Sequence, residues 1–232
     1  ARGVKVMAFP ELCLTAYTCS DLFLQESLLR EAKKELKRIL QASKSKDMIL
    51  FVGMPWMHKG KLYNVAAVLN RGRILGIVPK KHLPNYSEFY ELRHFNPGME
   101  KVEMTDWEGV QVPMGMNLLF ACRTMPELVL AAELCEDVWV PCPPSISHAL
   151  ANAGEGESSQ DLVFGGQNII AENGTCLVQS DRFKNACICA DLDLGRIISE
   201  RRRMTTFRDE ENRSASYETV YFELNTEDSA KK

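Results

Sequence analysis

Apolar positions near the start of the chain form two short continuous runs separated by one helical pattern. The runs at 4–9 and 47–54 are bounded by glycine, proline or charged residues, which is typical of buried strands. Between them, residues 21–43 place leucine, isoleucine and alanine at helical spacing, with basic residues on the other face. The pattern predicts a strand, a helix capped by Ser20 or Asp21, and a second strand.

The following segments are mostly strand-like and include two hairpins. Residues 61–80 alternate around "NRGR", which predicts a hairpin turning near Gly72. A second hairpin is predicted to turn at Asn173-Gly174. Further strands are predicted over 117–122, 128–134 and 186–194, and a short helix over 194–203. Many buried strands with few helices favour an α/β sandwich with helices outside two sheets.

Composition narrows the class of protein. The 232 residues are 45% hydrophobic and 25% charged, with a formal net charge of -3, so we expect one globular domain and no nucleic acid or membrane as partner. Eight cysteines stand at irregular positions without a signal peptide, which indicates reduced thiols in the cytoplasm. Cys187 and Cys189 lack a second ligand pair, so we predict a core strand there and a metal-free protein.

Three predicted strands each run into a residue with reactive chemistry: "VKVMAFPE" into Glu11, "ILGIVPK" into Lys80 and "LVLAAELC" into Cys135. If the strands run parallel, these side chains meet where α/β sheets bind ligands. A carboxylate, an ammonium and a thiol suit amide cleavage through a thioester. Taken singly, each has a plainer interpretation: a turn-capping glutamate, a surface lysine pair and a buried cysteine acting as a small hydrophobe.

Four longer motifs follow one another along the chain: "FPELCLTAYTCSDLF", "PKKHLPNYSEFYELRHFNPG", "ELCEDVWVPCPPS" and "AGEGESSQDLVFGGQNIIAENG". Together they resemble the glutaminase domain of the glutamine-dependent NAD synthetases, a branch of the nitrilase superfamily of carbon-nitrogen hydrolases. The resemblance implies an α/β fold, a nitrilase-like α-β-β-α sandwich. This sandwich is expected to be incomplete, lacking its first βα unit and a segment near residue 152.

The resemblance also implies a catalytic role for three residues. Cys135 is the expected nucleophile, Glu11 the general base and acid, and Lys80 the cation of the triad. Lys80 and the backbone N–H of Glu136 are the expected donors to the oxyanion. The carboxylates next to Cys135 would raise the pKa of its thiol. Activation is therefore assigned to Lys80, whose positive charge is expected to favour the thiolate. Strand alternation predicts that Glu136 points away from the thiol.

The glutamine pocket is expected to involve residues on both sides of the triad. The resemblance assigns to it Tyr86, Phe89, Glu91 and Trp139. For the aromatic residues, simple loop packing is an equally good interpretation. Glu91 is expected to brace Lys80 or to bind the amino group of the substrate.

The implied domain organisation is a glutaminase domain over 1–224, with an internal gap near 150–154, and a polar tail over 225–232. Glutamine is the expected substrate. Ammonia would pass to a C-terminal NAD synthetase domain, absent from this chain, which uses ATP and magnesium; no cofactor is expected in the chain itself. A homo-oligomer is expected under every interpretation. The alternatives are a free-standing nitrilase-type amidase and a truncated, non-catalytic form of the domain.

Overall fold

The computed structural model describes residues 3–138, 149–150, 165–203 and 217–226. The strands within these ranges are β1 (Val6–Ala8), β2 (Ile49–His58), β3 (Lys61–Asn70), β4 (Arg73–Pro79), β5 (Glu103–Trp107), β6 (Val110–Met114), β7 (Leu118–Cys122), β8 (Val129–Leu130), β9 (Ala149–Leu150), β10 (Ile169–Glu172), β11 (Thr175–Gln179) and β12 (Glu218–Phe222). The α-helices are α1 (Glu26–Ser43), α2 (Glu91–His94) and α3 (Leu194–Arg203), and 3₁₀ helices span Ser20–Leu24 and Cys135–Val138.

The largest sheet sets the position of the candidate site. Its strand order is β1-β2-β3-β4-β6-β5, with β1 parallel to β2 and β4 parallel to β6. Two antiparallel pairings lead from β2 through β3 to β4, so β1, β2 and β4 run in the same direction. Glu11 and Lys80 therefore follow strands that end at the same end of the sheet, so the condition set for their meeting is fulfilled for these two residues.

Each face of this sheet is covered by a different layer. Helix α1 packs Ala32, Leu36 and Leu40 against one face. The other face packs against the sheet β12-β7-β8 and forms a second hydrophobic core. Helix, sheet and sheet thus follow in the order expected for the sandwich. The helices of the described ranges are too short or too polar to cross a membrane.

Both predicted hairpins are confirmed. Strands β3 and β4 join at Arg71 and Gly72, whose φ values of 47° and 78° are those of a type I′ turn. Glycine at the second of these positions accepts positive φ without steric cost. Strands β10 and β11 join at Asn173 and Gly174.

Several local predictions are wrong. The α-helix begins at Glu26, and its N-cap residue Gln25 makes no side-chain cap hydrogen bond. Ser20 and Asp21 lie in the preceding 3₁₀ helix, where Asp21 accepts hydrogen bonds from Arg93 at 2.7 and 2.9 Å. Only Val129–Leu130 of the predicted strand 128–134 is paired. Residues 186–193 form no strand, and Cys187 and Cys189 are exposed.

Some strands were not predicted, and some predictions fall on residues that the structure does not describe. Strands β5, β6 and β12 have no counterpart in the hydrophobic pattern. At the start of the predicted polar tail, the Asn225 backbone N–H donates to Asp47 at 2.9 Å. Of the predicted gap near 150–154, only Leu150 is described, at the end of β9. Residues 151–154 and 227–232 lie outside the described residues.

Gly53 on β2 lets the chain after β1 lie directly on the sheet. A Cβ at this position would come within 2.4 Å of Leu12 N, 2.5 Å of Pro10 O and 2.9 Å of Glu11 C. All three are backbone atoms, so a side chain fits only if the loop that carries Glu11 moves.

We expect Gly53→Ala to lower the free energy of unfolding by about 1–3 kcal/mol, measured by urea denaturation, because overpacking forces this backbone outward. Gly165→Ala is the matched control, since a Cβ there meets no atom of the described residues within 4 Å. Equal stability of the two variants would show that the loop yields without cost.

Candidate active site

A buried lysine between two carboxylates forms the centre of the site. Lys80 is 0% exposed, and its Nζ donates to Glu11 Oε1 at 2.8 Å and to Glu91 Oε1 at 2.6 Å. Burial alone lowers the pKa of this ammonium, but the charges of Glu11 and Glu91 outweigh burial and raise it above its ordinary value. Lys80 therefore carries a positive charge at neutral pH.

The neighbouring lysine has a different environment. Lys81 is partly exposed and pairs with Glu100 at 2.6 Å. The alternative of a surface lysine pair therefore fits Lys81 but not Lys80. A fully buried ammonium requires partners that compensate for lost hydration, and the two carboxylates provide them.

The main sheet holds Lys80 and Glu11 side by side. The Lys80 backbone N–H donates to the Asn64 carbonyl on β3 at 2.9 Å. The side-chain amide of Asn64 donates to Glu11 Oε1 at 2.6 Å. Pro10–Leu12 rests on the surface left open by Gly53, and the backbone N–H of Leu14 donates to the Gly53 carbonyl at 3.2 Å.

Glu91, at the start of α2, closes the cluster from the other side. Tyr17 donates its hydroxyl to Glu91 Oε1 at 2.6 Å. Burial raises the pKa of Glu91, and the charge of Glu11 raises it further, partly offset by Lys80 and Tyr17. Burial and Glu91 also raise the pKa of Tyr17, so its hydroxyl remains a donor. The contact with Lys80 agrees with the bracing expected of Glu91.

Cys135 begins a 3₁₀ helix rather than ending a strand. Its φ of 46° lies in the left-handed region, which is strained for a residue with a Cβ and which recurs at functional sites. Asp137, 3% exposed, accepts from the backbone N–H groups of Lys81 and His82 at 3.2 and 2.8 Å. These bonds tie the cysteine segment to the chain that follows β4.

The cysteine is a free thiol close enough to respond to the buried charges. Burial is the largest of the effects that raise the pKa of Cys135 to about 12, and Glu11, Glu91 and Glu136 raise it further. Lys80 lowers this pKa, as expected, but does not outweigh the other effects. No hydrogen bond joins Cys135 Sγ to Glu11 or Lys80. The resting form is therefore a protonated thiol.

Glu136 does not point away from the site, because the expected strand alternation is absent there. Its carboxylate raises the pKa of Cys135 and accepts a hydrogen bond from Tyr86 at 3.1 Å. Tyr86 is half exposed and packs edge-on against Phe89, with ring centroids 5.6 Å apart. Of the three predicted aromatic residues, Tyr86 thus contacts the cysteine segment and Phe89 packs on Tyr86, whereas Trp139 lies outside the described residues.

Three contributors to the site had not been predicted: Asn64, Tyr17 and Asp137. Asn64 had a sequence signal, since it is an amide inside the long apolar run of β3. No sequence signal indicated Tyr17 or Asp137, because each contacts a residue that is far away along the chain. Together these residues hold a thiol, a carboxylate and an ammonium in one place, which suits acyl transfer through a covalent intermediate.

Glu91→Gln tests the charge balance through its effect on stability. Because the pKa of Glu91 is raised in the fold, its ionised form disfavours folding above that pKa, and the penalty disappears as the carboxyl becomes protonated in acid. We expect the variant to have a higher free energy of unfolding than the parent at pH 8, with the difference shrinking toward pH 4. Urea denaturation across this range measures it.

Glu88→Gln is the control, because Glu88 is an exposed carboxylate in the same loop. It should stay within about 0.5 kcal/mol of the parent at every pH. A Glu91→Gln variant that is less stable than the parent at pH 8 would contradict the inference that ionised Glu91 disfavours folding.

Comparison with known proteins places this cluster in a family. The glutamine-dependent NAD(+) synthetase of Mycobacterium tuberculosis (strain ATCC 25618 / H37Rv) is 37% identical over 248 residues, covering 89% of this chain and 36% of the relative. The chain thus spans just over a third of that relative's length.

Solved structures share the fold. The glutamine-dependent NAD(+) synthetase from Cytophaga hutchinsonii superposes with a TM-score of 0.64 at 23% identity, over 78% of this chain and 35% of that one. A glutamate-to-glutamine mutant of the Nesterenkonia sp. AN1 amidase gives 0.55 at 18%, over 86% and 81%. The predicted nitrilase-like fold is therefore confirmed.

The Carbon-nitrogen hydrolase family model matches residues 1–155, which is more than half of the chain. This match includes the buried Glu11–Lys80–Glu91 cluster and Cys135. The chain belongs to the carbon-nitrogen hydrolase family.

Proposed function

We propose that this chain is the glutamine-hydrolysing part of a glutamine-dependent NAD synthetase, with residues 1–224 as its glutaminase domain. The observation that carries the proposal is the buried ammonium of Lys80, bound by Glu11 and Glu91 and coupled electrostatically to Cys135. The 37% identity to the mycobacterial synthetase over 89% of the chain supports glutamine as the substrate.

The first chemical step is attack by Cys135 on the side-chain carboxamide of glutamine. Since the pKa of the thiol is about 12, the S–H proton must leave as the S–C bond forms, and Glu11 is the nearby base that takes it. The electron pair of the C=O π bond moves to the oxygen. Lys80 and the backbone N–H of Glu136 are the proposed donors to this oxyanion.

The N–H of Glu136 has no acceptor among the described residues and is therefore available to the oxyanion. In comparable sites, one such donor contributes roughly 3 kcal/mol to transition-state stabilisation. When the oxyanion collapses, the C–N bond breaks and Glu11 returns its proton to the nitrogen, which leaves as ammonia. Water, deprotonated by Glu11, then attacks the thioester carbon. As the C–S bond breaks and glutamate is released, Glu11 returns that proton to the Cys135 sulfur and restores the thiol.

Substrate recognition is proposed for the aromatic loop and the residue after the nucleophile. Tyr86 is exposed and contacts Glu136 and Phe89. Glu91 is buried, and its Oε2 has no hydrogen-bond partner among the described residues. We assign Glu91 to holding Lys80. Trp139 is retained as a proposed pocket residue on the strength of the sequence resemblance alone.

The ammonia is proposed to pass to a synthetase domain that amidates deamido-NAD with ATP and magnesium. Within the described ranges no group of three or more histidine, cysteine or carboxylate side chains is arranged to hold a metal ion. The ATP and magnesium sites are proposed for the synthetase domain on the strength of the family resemblance. Assembly as a homo-oligomer and a cytoplasmic location complete the proposal.

Cys135→Ala should reduce glutamate release from glutamine at least roughly 10³-fold, because the thioester cannot form. Coupled detection of glutamate measures the rate. Cys176→Ala is the matched control, since Cys176 is an exposed free thiol away from the cluster, and it should keep the parent's rate. Full activity in Cys135→Ala would end the proposal.

A panel with asparagine, acetamide and propionamide distinguishes a glutaminase from a general amidase.

Glu11→Gln should change turnover and thiol reactivity in opposite directions. Glutamate release should fall roughly 10²- to 10⁴-fold, because the acid and base are lost. Alkylation of Cys135 by iodoacetamide at pH 8 should become faster, because the Glu11 charge that raises the thiol pKa is gone. Peptide mapping by mass spectrometry gives the alkylation rate at Cys135 alone. Slower alkylation in the variant would show that Glu11 does not control the thiol pKa.

A further inference from the structure

The two oxygens of the Glu11 carboxylate have different surroundings. Oε1 accepts from both Asn64 Nδ2 at 2.6 Å and Lys80 Nζ at 2.8 Å. Oε2 accepts no hydrogen bond from the described residues, and the Glu11 side chain retains 16% exposure. One oxygen is therefore occupied by two fixed donors while the other remains open.

The donor Asn64 is held rigidly by the central sheet. It is 1% exposed near the start of β3, where its backbone carbonyl accepts from the Lys80 backbone N–H at 2.9 Å. Strand alternation places Asn64 on the same face as Ala66 and Val68, which belong to the core between the two sheets. The amide stands where that apolar face reaches the buried charges.

Packing alone does not account for an amide at this position. Asn64 Oδ1 is buried and has no hydrogen-bond partner among the described residues. A buried carbonyl oxygen without a partner is destabilising, whereas an apolar side chain of similar size would avoid that loss. The contribution of Asn64 is the hydrogen bond from Nδ2 to Glu11.

We propose that Asn64 is a positioning residue for the hydrolysis, a role that rests on the function proposed above. With Lys80 it occupies Oε1 of Glu11, fixes the rotation of the carboxylate and leaves Oε2 as the atom that exchanges the proton. In the forward step the S–H bond of Cys135 breaks and an O–H bond forms at Oε2. The same proton then moves from Oε2 to the departing nitrogen as the C–N bond breaks.

Because Asn64 acts through Glu11, its removal has a defined kinetic signature. Asn64→Ala should lower kcat for glutamine roughly 10- to 100-fold while KM changes less than about twofold, since a misplaced base slows chemistry rather than binding. In the Glu11→Gln background, where no base remains to be positioned, the same substitution should cause no further loss.

Asn70→Ala provides the matched control. Asn70 lies at the other end of β3, about 20 Å away along the strand, and is 7% exposed. Its side-chain amide donates to the Met48 carbonyl at 3.0 Å. Both variants therefore remove a buried amide hydrogen bond from one strand, and similar unfolding midpoints in urea are expected. Only Asn64→Ala should lower kcat.

A second variant separates hydrogen bonding from volume. Asn64→Asp keeps the size of the side chain but removes the donor, so kcat should fall at least as far as in Asn64→Ala. Parent-like kcat in Asn64→Asp overturns the proposal. So does an equal loss in the Asn64 and Asn70 variants, or an undiminished effect of Asn64→Ala in the Glu11→Gln background.

The glutaminase proposal is tested separately by the parent chain. If the parent hydrolyses a simple aliphatic amide but not glutamine, the proposed substrate is wrong, and the kcat comparison is then made with that amide. In either case the positioning role of Asn64 is judged by the same ratios of kcat between the parent and its variants.

Discussion

The full burial of the Lys80 ammonium is the constraint on which the rest of the site depends. A charge removed from water is costly unless fixed partners replace its hydration, and here Glu11 and Glu91 each accept a hydrogen bond from it. Those partners come from different parts of the chain, so the loop after β1, the end of β4 and helix α2 are joined at one ammonium. The pairing brings distant segments together more than it adds to net stability.

The same charge arrangement determines the resting state of the nucleophile. Two carboxylates surround one ammonium, so a thiolate would add another anion to a buried site. The raised pKa of Cys135 follows, even though Lys80 acts on it in the opposite direction. Such a site favours proton transfer to Glu11 during attack over storage of a ready-made thiolate. The orientation of the Glu11 carboxylate, which Asn64 is proposed to fix, therefore matters for this proton transfer.

Steric and backbone features support this geometry. Gly53 leaves the space in which the Glu11 loop lies, and the buried carboxylate of Asp137 fixes the segment that begins with Cys135. The left-handed backbone of Cys135 is strained, and surrounding contacts must hold it. The positions of the reactive groups therefore depend on features that carry no reactive chemistry themselves.

Hydrophobic periodicity and turn residues were sufficient to predict the two hairpins, helix α3 and most of α1, because these depend on local sequence. The common direction of the strands before Glu11 and Lys80 entered only as a condition, and the pairing of the sheet decided it. The four motifs were sufficient for the family and its fold. The environment of Cys135 was not predictable: its strand was expected to continue to residue 134, whereas pairing stops at Leu130. The carboxylate of Glu136, the hydroxyl of Tyr17 and the amide of Asn64 make hydrogen bonds with residues far away in sequence. Only the packing of the two sheets and their loops decided which ionisable groups share a buried volume.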